Sequence, residues 1–122
     1  FEMRSYADEL ARCQRYYYVH ASGADIPLGT GTYYNSAQCY VHIDFPTTMR
    51  SNPAIEQNTG TDYYQAYANG SSDPFNDFDS IWTVGLNNAV IVNYNDTSLT
   101  AASSAMVITK NASSKIAFQA EL

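Results

Sequence analysis

Apolar and polar residues alternate at period two along much of this chain. The clearest run sets Ala37, Cys39, Val41, Ile43 and Phe45 against Gln38, Tyr40, His42 and Asp44, a half-buried strand that Pro46 ends. The same reading predicts strands at Thr32–Tyr34, Ala54–Gln57, Tyr63–Ala68, Ser80–Val84, Ala89–Asn95, Ala105–Thr109 and Ile116–Leu122. Turn-rich separators lie between them, among them Ser51-Asn52-Pro53, Asn69-Gly70, Asp73-Pro74 and Asn87-Asn88. Many short strands at this spacing predict a sandwich or barrel. The N-terminal segment differs. Tyr6, Leu10, Cys13 and Tyr17 step by four, three and four residues, which is one helix face, and Ser5 with Asp8 reads as a capping-box variant. The spacing predicts a helix over about 5–14 that runs into a strand over about 15–21, where Tyr16-Tyr17-Tyr18-Val19 brings β-propensity. A helix of roughly ten residues is marginal alone and must pack on its own sheet or on a neighbouring chain.

Composition agrees with the β reading. Charged residues make up only 15% of 122 residues, and 12 Ser, 10 Thr, 10 Asn and 11 Tyr fill the gap, which suits strands with polar loops rather than a helical bundle. The length is that of one domain. The net charge of −6 disfavours nucleic acid and anionic membrane as partners, and no apolar run approaches a membrane span. Charge is also placed unevenly. Arg4, Arg12 and Arg15 stand in the first fifteen residues, whereas no Lys or Arg occurs from Ser51 to Thr109. Cys13 and Cys39 lack metal-ligand spacing, and two buried thiols are favoured over one bridge.

The run Glu2-x-Arg4-x-Tyr6-x-x-Glu9-Leu10-x-x-Cys13-Gln14-Arg15-Tyr16-Tyr17 resembles a segment that recurs near the C-terminal end of bacteriophage tail-fibre and capsid-fibre proteins. Phe45-Pro46-x-x-Met49-Arg50-x-x-Pro53 and the ending Ala120-Glu121-Leu122 are similar to two further landmarks of that family, in the same order. The resemblance implies a mainly β domain, an antiparallel jelly-roll-like β-sandwich with a short N-terminal helix, assembled as a homotrimer. Residues 1–122 would then be a single fibre-tip domain, helical over 1–14 and sandwich over 15–122. It would close a longer chain, which the start on Phe1 fits. The implied location is the virion, as a tail fibre or capsid appendage, in contact with other virion proteins and a bacterial surface glycan or receptor. Residues of roughly 55–105 match no landmark, as surface loops would.

Within that frame Tyr6, Leu10, Cys13 and Arg15 are the oligomerisation candidates, against the alternative that the helix caps the open end of its own sheet. Arg15 is expected to pair with an acidic group such as Glu9 or Glu121 rather than with a ligand. The glycan-binding candidates are Tyr33, Tyr34, Tyr64, Tyr67 and Trp82, which flank glycine-rich or acidic turns, with Asp77 and Asp79 to take sugar hydroxyls. Trp82 lies in the apolar stretch Ile81-Trp82-Thr83-Val84, where a core position is expected instead, and at most one of Tyr63 and Tyr64 can face out of a strand. Asp73, Asp77 and Asp79 offer oxygens to Ca²⁺. The spacing misses the EF-hand loop and two Phe residues interrupt it, so a solvated loop is favoured and no cofactor is expected. A glycosidase pair would need carboxylates ~5–10 Å apart across a cleft. Neighbours on one loop do not provide that, and no catalytic residue is assigned. His42 and Asp44 share a strand face, with His20 on another strand; a structural role is favoured over a metal site.

Overall fold

Ser5 opens the helix as expected. Its hydroxyl accepts from the Asp8 amide at 3.2 Å and caps α1 (Tyr6–Gln14), with Asp8 and Glu9 in the first turn where the helix dipole favours carboxylates. The structure is a computed structural model in which residues 5–94 and 101–120 are described. The motif positions Glu2 and Arg4, the closing Glu121 and Leu122, and the end of the Ala89–Asn95 strand lie outside the described residues.

The strands are β1 (Tyr17–Ser22), β2 (Pro27–Asn35), β3 (Gln38–Asp44), β4 (Ala54–Asn58), β5 (Tyr64–Ala68), β6 (Ser71–Phe75), β7 (Ser80–Val84), β8 (Asn88–Asn93), β9 (Ser104–Thr109) and β10 (Lys115–Gln119). They form a mainly β structure of two antiparallel sheets. One has three strands in the order β1-β10-β4, the other seven in the order β6-β5-β9-β2-β3-β8-β7. β6 departs from the sequence reading, in which Asp73-Pro74 marks a turn. Asp73 and Pro74 instead pair with Ala66 and Gln65. The strand survives its proline because it is an edge and needs a partner on one side only. The turn that feeds it was legible: Asn69 (φ 51°) and Gly70 (φ 75°) form a two-residue hairpin in the left-handed region that Asn-Gly favours.

Chain length dictates the shape of the larger sheet. β6 and β7 are its two outermost strands, and laid flat they would stand roughly 28 Å apart, six strand spacings. The chain from Phe75 to Ser80 can span at most about 18 Å. The sheet must therefore curl until its edges approach, and the segment 76–79 runs along the seam. Side chains on both flanks hold it there. The Asn76 Oδ1 accepts from the Asp62 amide beside β5 at 2.9 Å, and the Asn93 amide on β8 donates to the Asp77 carbonyl at 2.7 Å. The three-stranded sheet closes over it through Gln57 of β4, whose amide donates to the Phe78 carbonyl at 2.7 Å and accepts from the Phe78 N–H at 3.0 Å. The expected solvated loop at 73–79 is thus half edge strand and half seam, with Phe75 and Phe78 in the core.

That core lies between the sheets. Tyr64, Phe75 and Phe78 pack at ring separations of 5.2–5.8 Å, and Phe45, Phe118 and Tyr18 form a second aromatic group. The Tyr64 phenol crosses from one sheet to the other. It is shared between the Asn58 and Lys115 carbonyls at 2.6 and 3.0 Å, and burial pushes its pKa up to about 12. The cysteines are both free thiols. Cys39 is buried as expected, and burial pushes it up to about 12, but Cys13 is exposed on α1, which corrects the expectation of two buried thiols. On the outer side of the small sheet, the Tyr17 hydroxyl and the Lys115 ammonium (3.1 Å) both donate to Glu56 Oε2, roofing the fully buried Ala117.

Two consequences for stability can be measured. Gln57→Ala removes both bonds to the Phe78 backbone and should cost about 2 kcal/mol in urea denaturation, with strand content retained; an unchanged midpoint would show that the seam does not need the clamp. The Tyr17 hydrogen bond first, and Lys115 second, hold the Glu56 carboxyl below its ordinary 4.5. Its contribution is therefore complete above pH 4.5 and drains as pH falls through the lower folded value. The melting temperature of Glu56→Gln should accordingly show a shallower acid limb than that of the parent chain.

Candidate functional site

Two bulges build the most distinctive surface of the molecule. In β2 the register jumps from Tyr33↔Cys39 to Asn35↔Gln38, leaving Tyr34 as the extra residue. In β7 it jumps from Ile81↔Ile91 to Thr83↔Val90, leaving Trp82 as the extra residue. A bulge re-aims the side chain it carries. Both extra residues are aromatic and both lie outside: Tyr34 is 75% exposed and Trp82 59%. Ile81 and Val84 still pack on the core, so Trp82 and Thr83 both face out. The expectation of Trp82 as a core residue is corrected on this ground.

Tyr40 of β3 lies between the two. Its ring is 5.9 Å from Tyr34 at 68° and 5.1 Å from Trp82 at 82°. Both contacts are edge-to-face, so the Tyr34 and Trp82 rings each stand steeply to the Tyr40 ring. Trp82 reaches Tyr40 across β8, where Val92 pairs with Tyr40 on one side and Ser80 on the other. Val92 shares the outward parity of Val90 yet is fully buried. With Thr32 the three aromatics line a groove of about 370 Å³. Desolvation first, and then the neighbouring Tyr94 and Tyr34, raise the Tyr40 pKa, so its phenol keeps its proton. That proton goes to Gln38 Oε1 at 3.2 Å, which leaves the oxygen able to accept.

A second groove, of about 700 Å³, opens on the same face over β9 and β5. Tyr67 and Met106 (62% exposed) supply its apolar surface, and Thr30, Ser72, Ser104 and Asn69 its polar one. The side chains lining the two grooves carry no charge.

The remaining candidates fall elsewhere. Tyr33 and Tyr64 are fully buried and offer no ring face, which removes them from the binding set. Tyr63 precedes β5, so strand alternation does not govern it, and it too packs against the core. Asp79 is exposed, and its Oδ2 accepts from the Tyr94 amide at 2.6 Å, which sets the backbone of a residue whose hydroxyl meets Ser80 at 3.4 Å beside the aromatic groove. Asp77 belongs to the seam through its carbonyl, and Asp73 to β6. Among the described residues no group of three or more His, Cys, Asp and Glu is arranged to hold a metal ion. His42 Nε2 donates to Asp44 at 3.1 Å, and the pair shares a cleft with His20. The His20 ring is a structural bracket. Leu28 O can only accept, so Nε2 carries the proton, and Nδ1 accepts from the Tyr18 hydroxyl at 2.9 Å.

On α1, Tyr6 is 81% exposed and Leu10 42%, and Cys13 and Arg15 are exposed as well; the helix buries none of its residues within the chain. Arg12, Arg15 and Tyr16 line a small cleft at its C-terminal end. Among the described residues no helix is long and apolar enough to cross a membrane. Comparison with protein-family models, with curated proteins and with solved structures found no match for the chain.

Sequence reasoning passed over Tyr40, Tyr94 and Met106. Tyr40 was within reach: it has the outward parity of β3, one hairpin turn from Tyr34. The groove also depends on Gly31, where a Cβ would stand 2.5 Å from the Tyr40 carbonyl oxygen. Gly31→Ala must push β2 away from β3 at the groove floor. It should cost about 1–3 kcal/mol and change the emission of Trp82, which fluorescence during chemical denaturation reads directly; wild-type stability and spectrum would mean the strands absorb the methyl group.

Proposed function

We propose that this chain is the tip domain of a phage tail fibre or capsid appendage, and that it attaches the particle to a bacterial surface glycan through the Tyr34–Tyr40–Trp82 groove. The placement on a fibre rests on the three motif segments that resemble those proteins. The binding role rests on one observation above all, two exposed aromatic rings, Tyr34 and Trp82, that meet over Tyr40. Large aromatic rings left standing in water are costly unless something covers them. The electron-rich ring faces suit the C–H faces of a sugar, and Thr32 and the Tyr40 oxygen suit its hydroxyls. Asp79 acts here by setting the Tyr94 backbone rather than by touching sugar.

The finer form of the fold goes with this reading: a jelly-roll-like sandwich assembled as a homotrimer through Tyr6, Leu10, Cys13 and Arg15. The support is a helix none of whose residues is buried within its own chain. The same helix favours a second reading, in which the domain closes and trimerises the fibre or decorates the virion and binds nothing small.

Binding of the domain to host cells and to a bacterial glycan array separates the two. Under the attachment reading the parent chain binds and Trp82→Ala binds about tenfold more weakly or worse. Under the cap reading no surface is bound, and deleting the domain stops fibre assembly. Leu10→Asp should convert the trimer to monomer in light scattering while strand content stays; a parent chain that is itself a stable monomer sinks the trimer and weakens the fibre placement. Sugar release abolished at Asp77 or Asp79 would replace attachment by hydrolysis.

A further inference from the structure

The two grooves on the outer face of the seven-stranded sheet touch each other. Thr32 lines the aromatic groove and Ser104 the larger one, and these residues are register partners on the adjacent strands β2 and β9. Next to them runs a second row of partners, Ser72↔Tyr67↔Met106↔Thr30, all lining the larger groove. An uninterrupted track therefore leads from Trp82 and Tyr40 across a floor of hydroxyls to Tyr67 and Met106. Tyr40 on β3 and Tyr67 on β5 stand three strand spacings apart, roughly 14 Å, which a single sugar ring cannot bridge and about three linked rings can.

The electrostatics narrow the class further. No side chain lining either groove is charged. One cation, Lys110, adjoins the distal end of the larger groove, engaged with the Tyr67 side chain and with Asp25 at 3.5 Å. The chain carries −6 overall. A polyanionic capsule chain would meet repulsion at long range and no charged lining side chain on contact, and Lys110 is already held by Asp25.

We infer that the ligand is an extended neutral oligosaccharide laid across the strands, with one ring held between Tyr34 and Trp82 and a later ring against Tyr67 and Met106. This rests on the attachment reading above and adds ligand length, direction and charge to it. It makes Tyr67 and Met106 a distal subsite that short glycans never reach.

Trp82 is the chain's sole tryptophan, so its emission reports on the first subsite alone. The test presents the full chain with an array of neutral bacterial surface glycans from mono- to hexasaccharide, with uronic-acid-containing counterparts beside them, and confirms hits by Trp82 fluorescence titration. Affinity for the best neutral series should rise about tenfold from disaccharide to tetrasaccharide. Tyr67→Ala should remove that gain and leave the disaccharide untouched. Met106→Ala, at a position 62% exposed, repeats the test where folding is not at stake. Equal affinity for di- and tetrasaccharide, or tetrasaccharide binding indifferent to both variants, overturns the track while leaving Trp82-dependent attachment standing. Preference for uronate glycans overturns neutrality. Binding of no array glycan, or binding indifferent to Trp82→Ala, removes the track and the attachment reading together.

Discussion

A short covalent connection sets the form of this molecule. The chain between Phe75 and Ser80 must join the two outermost strands of a seven-stranded sheet, and no flat sheet permits it. Curling follows, and with it a concave inner side for Tyr64, Phe75 and Phe78 and a convex outer side for Tyr34, Tyr40 and Trp82. The seam would expose backbone amides and carbonyls at the rim of the core if nothing met them. Gln57 and Asn93 meet them with side-chain amides, which offer a donor and an acceptor in the geometry of a strand without continuing the ladder. The small sheet is thereby more than a lid. Gln57 fastens it to the seam, and the Tyr64 phenol fastens the large sheet back to β4 and β10.

The outer surface depends on that curl and on two local faults in it. With Ile81 facing the core, a regular strand would send Trp82 out, and Val84 out with it. The bulge returns Val84 to the core while Trp82 stays outside, where its ring rests against Tyr40. Outward display and core packing thus meet at this edge, where the exposed Trp82 contacts Tyr40 beside the buried Val92.

The sequence was most readable where one rule acted alone. The Ser5 cap, the alternation of β3 and the Asn69-Gly70 hairpin each follow from a local preference that tertiary structure left in place. It was least readable where residues answer to distant partners. Asp73-Pro74 reads as turn and becomes part of strand β6 because β5 presents an open edge. Tyr33 and Tyr64 share the type and neighbourhood of Tyr34 and Tyr67 but not the parity, and bulges alter parity without any mark in composition. Of the aromatic groove, Tyr34 and Trp82 were nameable as candidates; their meeting over Tyr40 depends on strand order, which no local pattern carries.

The rims of the larger sheet bear on crowding. An open rim is a template on which another chain can add a strand, the first step toward cross-β aggregation. On one side β6 carries Pro74, which removes a donor from the rim, and on the other β7 carries the kink at Trp82, which breaks its straight run. Neither offers a long regular ladder. Copies held at high local density would find little along this sheet to zip onto, so their contacts would be made by side chains, which mutation can tune, rather than by backbone, which it cannot.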